Sequence, residues 1–266
     1  PPVRILGRSW AVEMLPYMDQ QGTYDRWNKD APFNINSAAS QNLTLASTLY
    51  IEAFACPNDE SAYVTPGGLS YVANTGFGDG VLIANFDTST MGPAVQHSFT
   101  VESMDWDGDG NLNDWAASTV DPEDQKINQA TGVFWPEFAV AAGDTPAQQQ
   151  MVRGTRNASA TIGKIYDGSG NTIMFGENIN AGGQNWADPR TRACGFMVPL
   201  NVTAVNGTLA ASSFPNIDNM IGTDPNPPGG LYPAFPNEAK TGPDGQRPYL
   251  NSNHPGIVVV SMCDGS

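Results

Sequence analysis

Histidine is nearly missing from this chain: His97 and His254 are the only two in 266 residues. With it go the helical His-x-x-x-His zinc motif and most ways of building a nucleophile–histidine pair. No Gly-x-Ser-x-Gly elbow occurs, and the glycines at 76, 78 and 80 lack the spacing of a phosphate-binding loop. Positive charge is also scarce: 12 Lys and Arg stand against 27 Asp and Glu, a formal net charge of −15. Such a surface repels nucleic acid and anionic membranes, since both need a basic footprint. No run of 18 apolar residues is present, so no segment is expected to span a bilayer. No leader is visible, and the ends at Pro1 and Ser266 read as fragment ends. The three cysteines, Cys56, Cys194 and Cys263, are too far apart for a Cys-x-x-Cys motif. A single disulfide has three possible pairings. Cys194 and Cys263 each border an apolar stretch and are the favoured pair, which leaves Cys56 over.

Glycine (28) and proline (21) are plentiful instead, and predict short strands joined by long connections in one domain over 1–266. Ser9 to Asn28 reads as a helix with Trp10, Met14 and Met18 on one face and Pro16 as a break. A second apolar run, Ser47 to Phe54, ends in the turn Cys56-Pro57-Asn58-Asp59. Strands are expected at Ser70–Ala73, Val81–Phe86, Asn171–Phe175 and within Phe196–Val205. The apolar run Ile257–Met262 reads as a buried central strand. Residues 96–155 hold the densest acidic cluster and read as an insertion on this core.

Within that insertion, Asp105, Asp107 and Asp109 alternate and are followed by Gly110, the first half of a D-x-D-x-D-G calcium loop. Calcium takes six to eight oxygens, and carboxylates two residues apart can curl around one ion. Asn111, Asn113 and Asp114 would complete the set, because the twelfth loop position, Ala116, has no donor. Ca2+ is therefore the one cofactor expected. Asn42, Asn157, Asn201 and Asn206 each begin an Asn-x-Ser/Thr triplet and are glycosylation candidates. Carboxylates are so abundant that chance pairs carry no signal for acid–base catalysis, and the chain reads as non-enzymatic.

His254 is separated by nine residues from Asp264-Gly265. Ser9-Trp10, Leu15-Pro16-Tyr17, Cys56-Pro57-Asn58-Asp59, Ser70 to Gly76 and Gly168 to Asn178 form further segments in the same order. Together they resemble a planctomycete-rich family of prepilin-type, pseudopilin-like proteins with a C-terminal H-x9-D-G motif, filed as a domain of unknown function. The resemblance implies an α+β, pilin-like fold: an N-terminal helix packed on an antiparallel β-sheet, with long loops and here a calcium-binding insertion. It also implies an apolar helix ahead of Pro1 as the only link to a membrane. Asp264-Gly265 then forms the exit turn of the last strand, and His254 sets its start. Glu177, at the end of another strand, pairs with His254 or Arg192.

The expected role is a secreted or cell-surface structural subunit of an extracellular filament, pilus or pseudopilus, stabilised by calcium. Its partners would be copies of itself and other pilin-like subunits, with no nucleic acid. The alternative is a surface adhesion or carbohydrate-binding module that stacks sugars on Trp106, Trp115, Trp135 and Trp186. If His254 helps to set the last strand, His254→Ala lowers the thermal midpoint; an unchanged melt in differential scanning calorimetry would refute that role.

Overall fold

The computed structural model describes residues 8–29, 31, 33, 40–79, 109, 111, 121–134, 145–146, 160–181, 185–188, 191–200, 237 and 249–266. Its helices are α1 (Trp10–Met14), α2 (Gln21–Arg26), α3 (Asn42–Thr48), α4 (Pro122–Ala130) and α5 (Thr191–Cys194). Its strands are β1 (Tyr71–Asp79), β2 (Ile173–Glu177), β3 (Gly195–Leu200) and β4 (Val260–Met262), in the sheet order β3-β1-β2-β4. This is an α+β chain. The sheet is mixed rather than antiparallel: β1 runs against β2, β2 against β4, but β1 and β3 are parallel. The cause is the connection 178–194, which is too long for a hairpin and carries the chain past β1 before β3 begins. Pro199 is tolerated in β3 because that strand lies at one end of the order.

The expected N-terminal helix is broken in two. A 3-10 turn over Leu15–Met18 contains Pro16, which has no N–H to continue the ladder, and Asp19 closes the turn at φ +57°. The face turned inward is also not the expected one. Ala11, Val12 and Leu15 are fully buried, whereas Met14 is exposed. Trp10 and Met18 pack at the margin of the core. The second apolar run, Ser47 to Phe54, takes in only the last two residues of α3 and a 3-10 turn over Glu52–Phe54. The Val81–Phe86 strand lies outside the described residues.

Trp186 sits at the centre of the core with no exposure, so it is not one of the sugar-stacking surfaces expected of it. Its ring lies 5.7 Å from that of Trp27 and 6.0 Å from that of Phe54. Phe54 meets Trp10 edge-on at 5.7 Å, and Trp10 in turn lies 4.8 Å from Phe175. Hydrogen bonds fix the register: Ser9 Oγ donates to the Trp186 carbonyl (2.7 Å) and Trp10 Nε1 to the Cys194 carbonyl (2.8 Å). The helical start of the chain is thereby held on the sheet and on the connection leading to β3.

Three further expectations are corrected. Ile257–Met262 is not a buried central strand: only Val260–Met262 form β4, which ends the sheet order, and Ile257, Val259 and Val260 are all exposed. Apolar composition alone does not tell a central strand from an outer one. Cys194 and Cys263 are not bonded, and none of the three cysteines is in a disulfide. Cys194 directly precedes β3 and Cys263 follows β4, at opposite ends of the four-strand order. Strand spacings of about 4.8 Å put such residues well beyond the reach of a disulfide. Asn42 is fully buried, and its Nδ2 donates to the carbonyls of Asn28 (2.8 Å) and Ala31 (3.1 Å). That amide nitrogen is committed to the fold, not available to a glycan. Asn157, Asn201 and Asn206 lie outside the described residues.

One backbone crossing ties residues 131–134 to the central strand. Val133 and Phe134 both donate to the Asn74 carbonyl, at 3.1 and 2.9 Å. Gly76 sits beneath them at φ +87°, and a Cβ there would come within 2.8 Å of the Gly132 nitrogen. Left-handed backbone costs a substituted residue roughly 1–2 kcal/mol, and overpacking adds about 1–3 kcal/mol. Gly76→Ala should therefore lower unfolding stability in urea by roughly 2–5 kcal/mol. A loss below about 0.5 kcal/mol would mean that this crossing does not form.

Candidate functional site

Four sequence-distant segments meet at one end of β2: the turn after Cys56, the start of β1 at Ser70 and Tyr71, Glu177 with Asn178, and the turn 252–257. Each is placed by local chemistry. The turn 56–59 closes through the Asp59 N–H on the Cys56 carbonyl (2.9 Å). The turn 252–257 is held by Ser252 Oγ, which accepts from the His254 N–H (3.1 Å) and donates to the Ile257 carbonyl (2.7 Å). Gly256 supplies its positive φ of +74°.

Asp59 is buried and its carboxylate is heavily used. Oδ1 accepts from the Ser61 hydroxyl (2.6 Å) and N–H (3.1 Å), and Oδ2 from the Ser70 hydroxyl (2.7 Å). Ser70 Oγ then accepts the Cys56 N–H at 2.9 Å. A buried carboxylate so supplied with donors rigidifies the backbone around Cys56.

Glu177 is the second buried carboxylate, 2% exposed, and works in two directions. Oε2 accepts the Val259 N–H (2.9 Å) while the Glu177 N–H donates to the Val259 carbonyl (3.2 Å). This extends the β2–β4 ladder beyond the Gly176–Val260 pair. Oε1 faces His254 Nε2 at 3.2 Å. Of the two partners expected for Glu177, His254 is thus in contact; the Arg192 side chain lies outside the described residues. The Glu177 carbonyl accepts from the Asn251 N–H (2.9 Å), and Asn251 Oδ1 from the Ile179 N–H (2.8 Å).

His254 Nε2 also lies 3.7 Å from Cys56 Sγ, and Nδ1 lies 3.0 Å from the Asn58 amide. Both the thiol and the carboxylate therefore face the same ring nitrogen. A nucleophile–histidine–acid relay uses opposite ring nitrogens, so this is not relay geometry. Burial pushes the Cys56 thiol above its ordinary range; the Asn58 N–H pulls it down, and the Glu177 carboxylate adds to the rise. Burial, then Cys56 and Glu177, raise the neighbouring Tyr71 hydroxyl as well. Cys56, Glu177 and His254 have one ligand atom each within 4.8 Å of the others.

The remaining expected site residues are elsewhere. Asp264 and Gly265 form the turn after β4: Asp264 Oδ1 accepts from the Ser266 N–H (3.0 Å) and hydroxyl (2.8 Å), and Gly265 has φ +88°. Those two bonds from Ser266 hold the Asp264 carboxyl below its ordinary range. Of the acidic loop, Asp109 and Asn111 are described and both are exposed; Asp109 accepts the Asn111 N–H and side-chain amide, each at 2.7 Å. Asp105, Asp107, Asn113 and Asp114 lie outside the described residues. Asp121 holds the start of α4 by accepting the Glu123 N–H (2.8 Å). The sequence marks Cys56 as part of a turn and as the cysteine outside the favoured disulfide, not as a site residue. Its meeting with Glu177 and His254 depends on pairings far apart in the chain, and no local pattern signals it.

The fold is thus an α+β domain with a mixed four-strand sheet and a buried polar junction at one end of β2. The family model described as "Protein of unknown function (DUF1559)" matches residues 2–266, and the chain belongs to that family. No curated protein matches it, and no solved structure does.

Asp59 and Ser70 share one hydrogen bond, so their losses should overlap. Asp59→Asn should cost about 2–3 kcal/mol and Ser70→Ala about 1–2 kcal/mol of unfolding free energy. The double variant should fall short of the sum by at least about 0.5 kcal/mol. Strict additivity in urea titrations would show that the two side chains act separately.

Proposed function

We propose that this chain is the globular part of a pilin-like structural subunit that assembles with copies of itself in an extracellular or cell-surface filament. The observation that carries the reading is the C-terminal strand. Ile257, Val259 and Val260 are 59%, 51% and 37% exposed at the end of the sheet order, in a chain that is otherwise strongly acidic. Exposed apolar side chains grouped on the approach to β4 and at its first residue mark a contact surface. A second copy is the proposed occupant: salt screens the repulsion between two surfaces of charge −15, whereas the attraction of an apolar strip does not rest on charge. In this reading calcium binds the acidic loop around Asp105–Asp114 and stiffens the surface by favouring the folded loop.

Electron microscopy of the native material, with and without a calcium chelator, tests the whole reading. Ordered filaments that loosen on chelation are expected; monodisperse monomers indifferent to chelator would overturn it. Ile257→Asp should abolish assembly in sedimentation velocity while leaving the monomer's melting temperature unchanged, because the side chain it replaces is more than half exposed. Filaments formed equally well by that variant would remove the Ile257 end of this strip from the contact.

A further inference from the structure

We propose that Cys56 Sγ, His254 Nε2 and Glu177 Oε1 form a three-ligand site for a divalent transition-metal ion of the zinc class, separate from the acidic loop. The spacing is that of a tetrahedral centre. With zinc–sulfur near 2.3 Å and zinc–nitrogen or –oxygen near 2.0–2.1 Å, tetrahedral angles put sulfur and nitrogen about 3.6 Å apart and nitrogen and oxygen about 3.4 Å apart. The observed separations are 3.7 Å for Cys56–His254 and 3.2 Å for His254–Glu177. The Cys56 and Glu177 ligand atoms lie within 4.8 Å of each other, so an ion between the three atoms requires only a local adjustment along that edge.

Hydrogen bonds join this trio only pairwise, the Cys56 thiol to Glu177 and His254 Nε2 to Glu177 Oε1. Nε2 has a single site, a proton or a lone pair, yet it faces both a thiol and a carboxylate. A cation satisfies all three donors at once. Thiolate, carboxylate and neutral imidazole together cancel a charge of +2, which suits a junction where Cys56 and Glu177 are buried. The thiol proton leaves to solvent as the ion binds.

The surroundings fit a ligand role. Metal-bound histidine usually anchors its other nitrogen on a hydrogen-bond acceptor. The Asn58 amide is 3.0 Å from Nδ1, and a half-turn of that amide presents its oxygen to the Nδ1–H. Asn58 is held in turn, its carbonyl accepting from Asn253 Nδ2 at 2.9 Å. Glu177 Oε2 is fixed by Val259, which leaves Oε1 as the metal-facing oxygen. Sulfur and nitrogen donors select a borderline or soft ion over calcium or magnesium. The His254 side chain is 25% exposed, so the fourth position opens to water or to a small exogenous ligand.

The test uses the untagged chain, stripped of metal under reducing conditions and titrated with Co2+. One equivalent should bind with a thiolate-to-cobalt charge-transfer band and intense visible bands of tetrahedral type, and Zn2+ should displace it. Cys56→Ser should abolish the charge-transfer band, and Glu177→Gln should weaken binding at least tenfold. Asp107→Asn with Asp109→Asn should leave the spectrum unchanged. No charge-transfer band at saturating Co2+ overturns the proposal. So does a band that survives Cys56→Ser, which would place the ion on another thiol, and so does binding lost only in the acidic-loop variant. X-ray absorption of the zinc-loaded wild type needs no variant: one sulfur at about 2.3 Å with nitrogen and oxygen at about 2.0–2.1 Å is expected, and an oxygen-only shell refutes the site.

Discussion

Burial of the Glu177 carboxylate is the constraint on which the C-terminal half of the sheet depends. A charge taken out of water must be met by donors, or the fold loses several kcal/mol. This chain supplies them from residues about eighty positions further on: the Val259 N–H on one oxygen and the His254 ring on the other. β4 pairs with β2 over only three positions, with a register shift between Ile173 and Phe175. So short a ladder gains little from its own hydrogen bonds, and the carboxylate holds Val259, the residue just before the strand, in place. The same requirement explains why the turn 252–257 is so fully bonded. It must deliver both the ring and the Val259 amide to a single buried side chain.

Asp59 repeats this logic on the other side of the junction. Its donors are local, from Ser61 and Ser70, so it organises a turn rather than a strand pairing. Ser70 connects the two halves, because its hydroxyl bridges Asp59 to the Cys56 N–H and its carbonyl accepts from Asn178, the residue after Glu177. Polar side chains thus fix the geometry at this end of the sheet, while the aromatic row from Trp27 through Trp186, Phe54 and Trp10 fills the core beside it. The first network sets direction, which apolar packing by itself does not.

The sequence was legible where signals are local. The turns at Cys56–Asp59 and Asp264-Gly265, the strand leading to Glu177, and the break at Pro16 all follow from backbone chemistry within a few residues. The misreadings concern quantities that only tertiary pairing decides. Ile257–Met262 has the composition of a central strand but takes an outer place, because β2 has β1 on its other side. Trp10, Met14 and Met18 have helical spacing, yet the break at Pro16 ends that helix before the stripe can form, and Ala11, Val12 and Leu15 turn inward instead. The parallel pairing of β3 and the separation of Cys194 from Cys263 follow from one crossing of the 178–194 connection, which strand periodicity does not encode.

Strand β4 and the proposed metal centre share one carboxylate, which links the two functional readings physically. Glu177 Oε2 holds the Val259 amide at the start of the exposed strip, and Oε1 is the oxygen offered to the ion. An ion on Oε1 fixes the carboxylate plane and with it the direction in which Oε2 accepts. His254 adds a second tie, since its turn leads directly into Ile257. Occupancy of the site would therefore stiffen the strand without touching its exposed side chains, lowering the ordering cost of any contact made there. This coupling would differ in kind from that of the calcium proposed for the acidic loop. The oxygen-rich loop selects a hard cation, whereas the thiol, imidazole and carboxylate of the junction select a softer one, so the two ions would act on different parts of the surface.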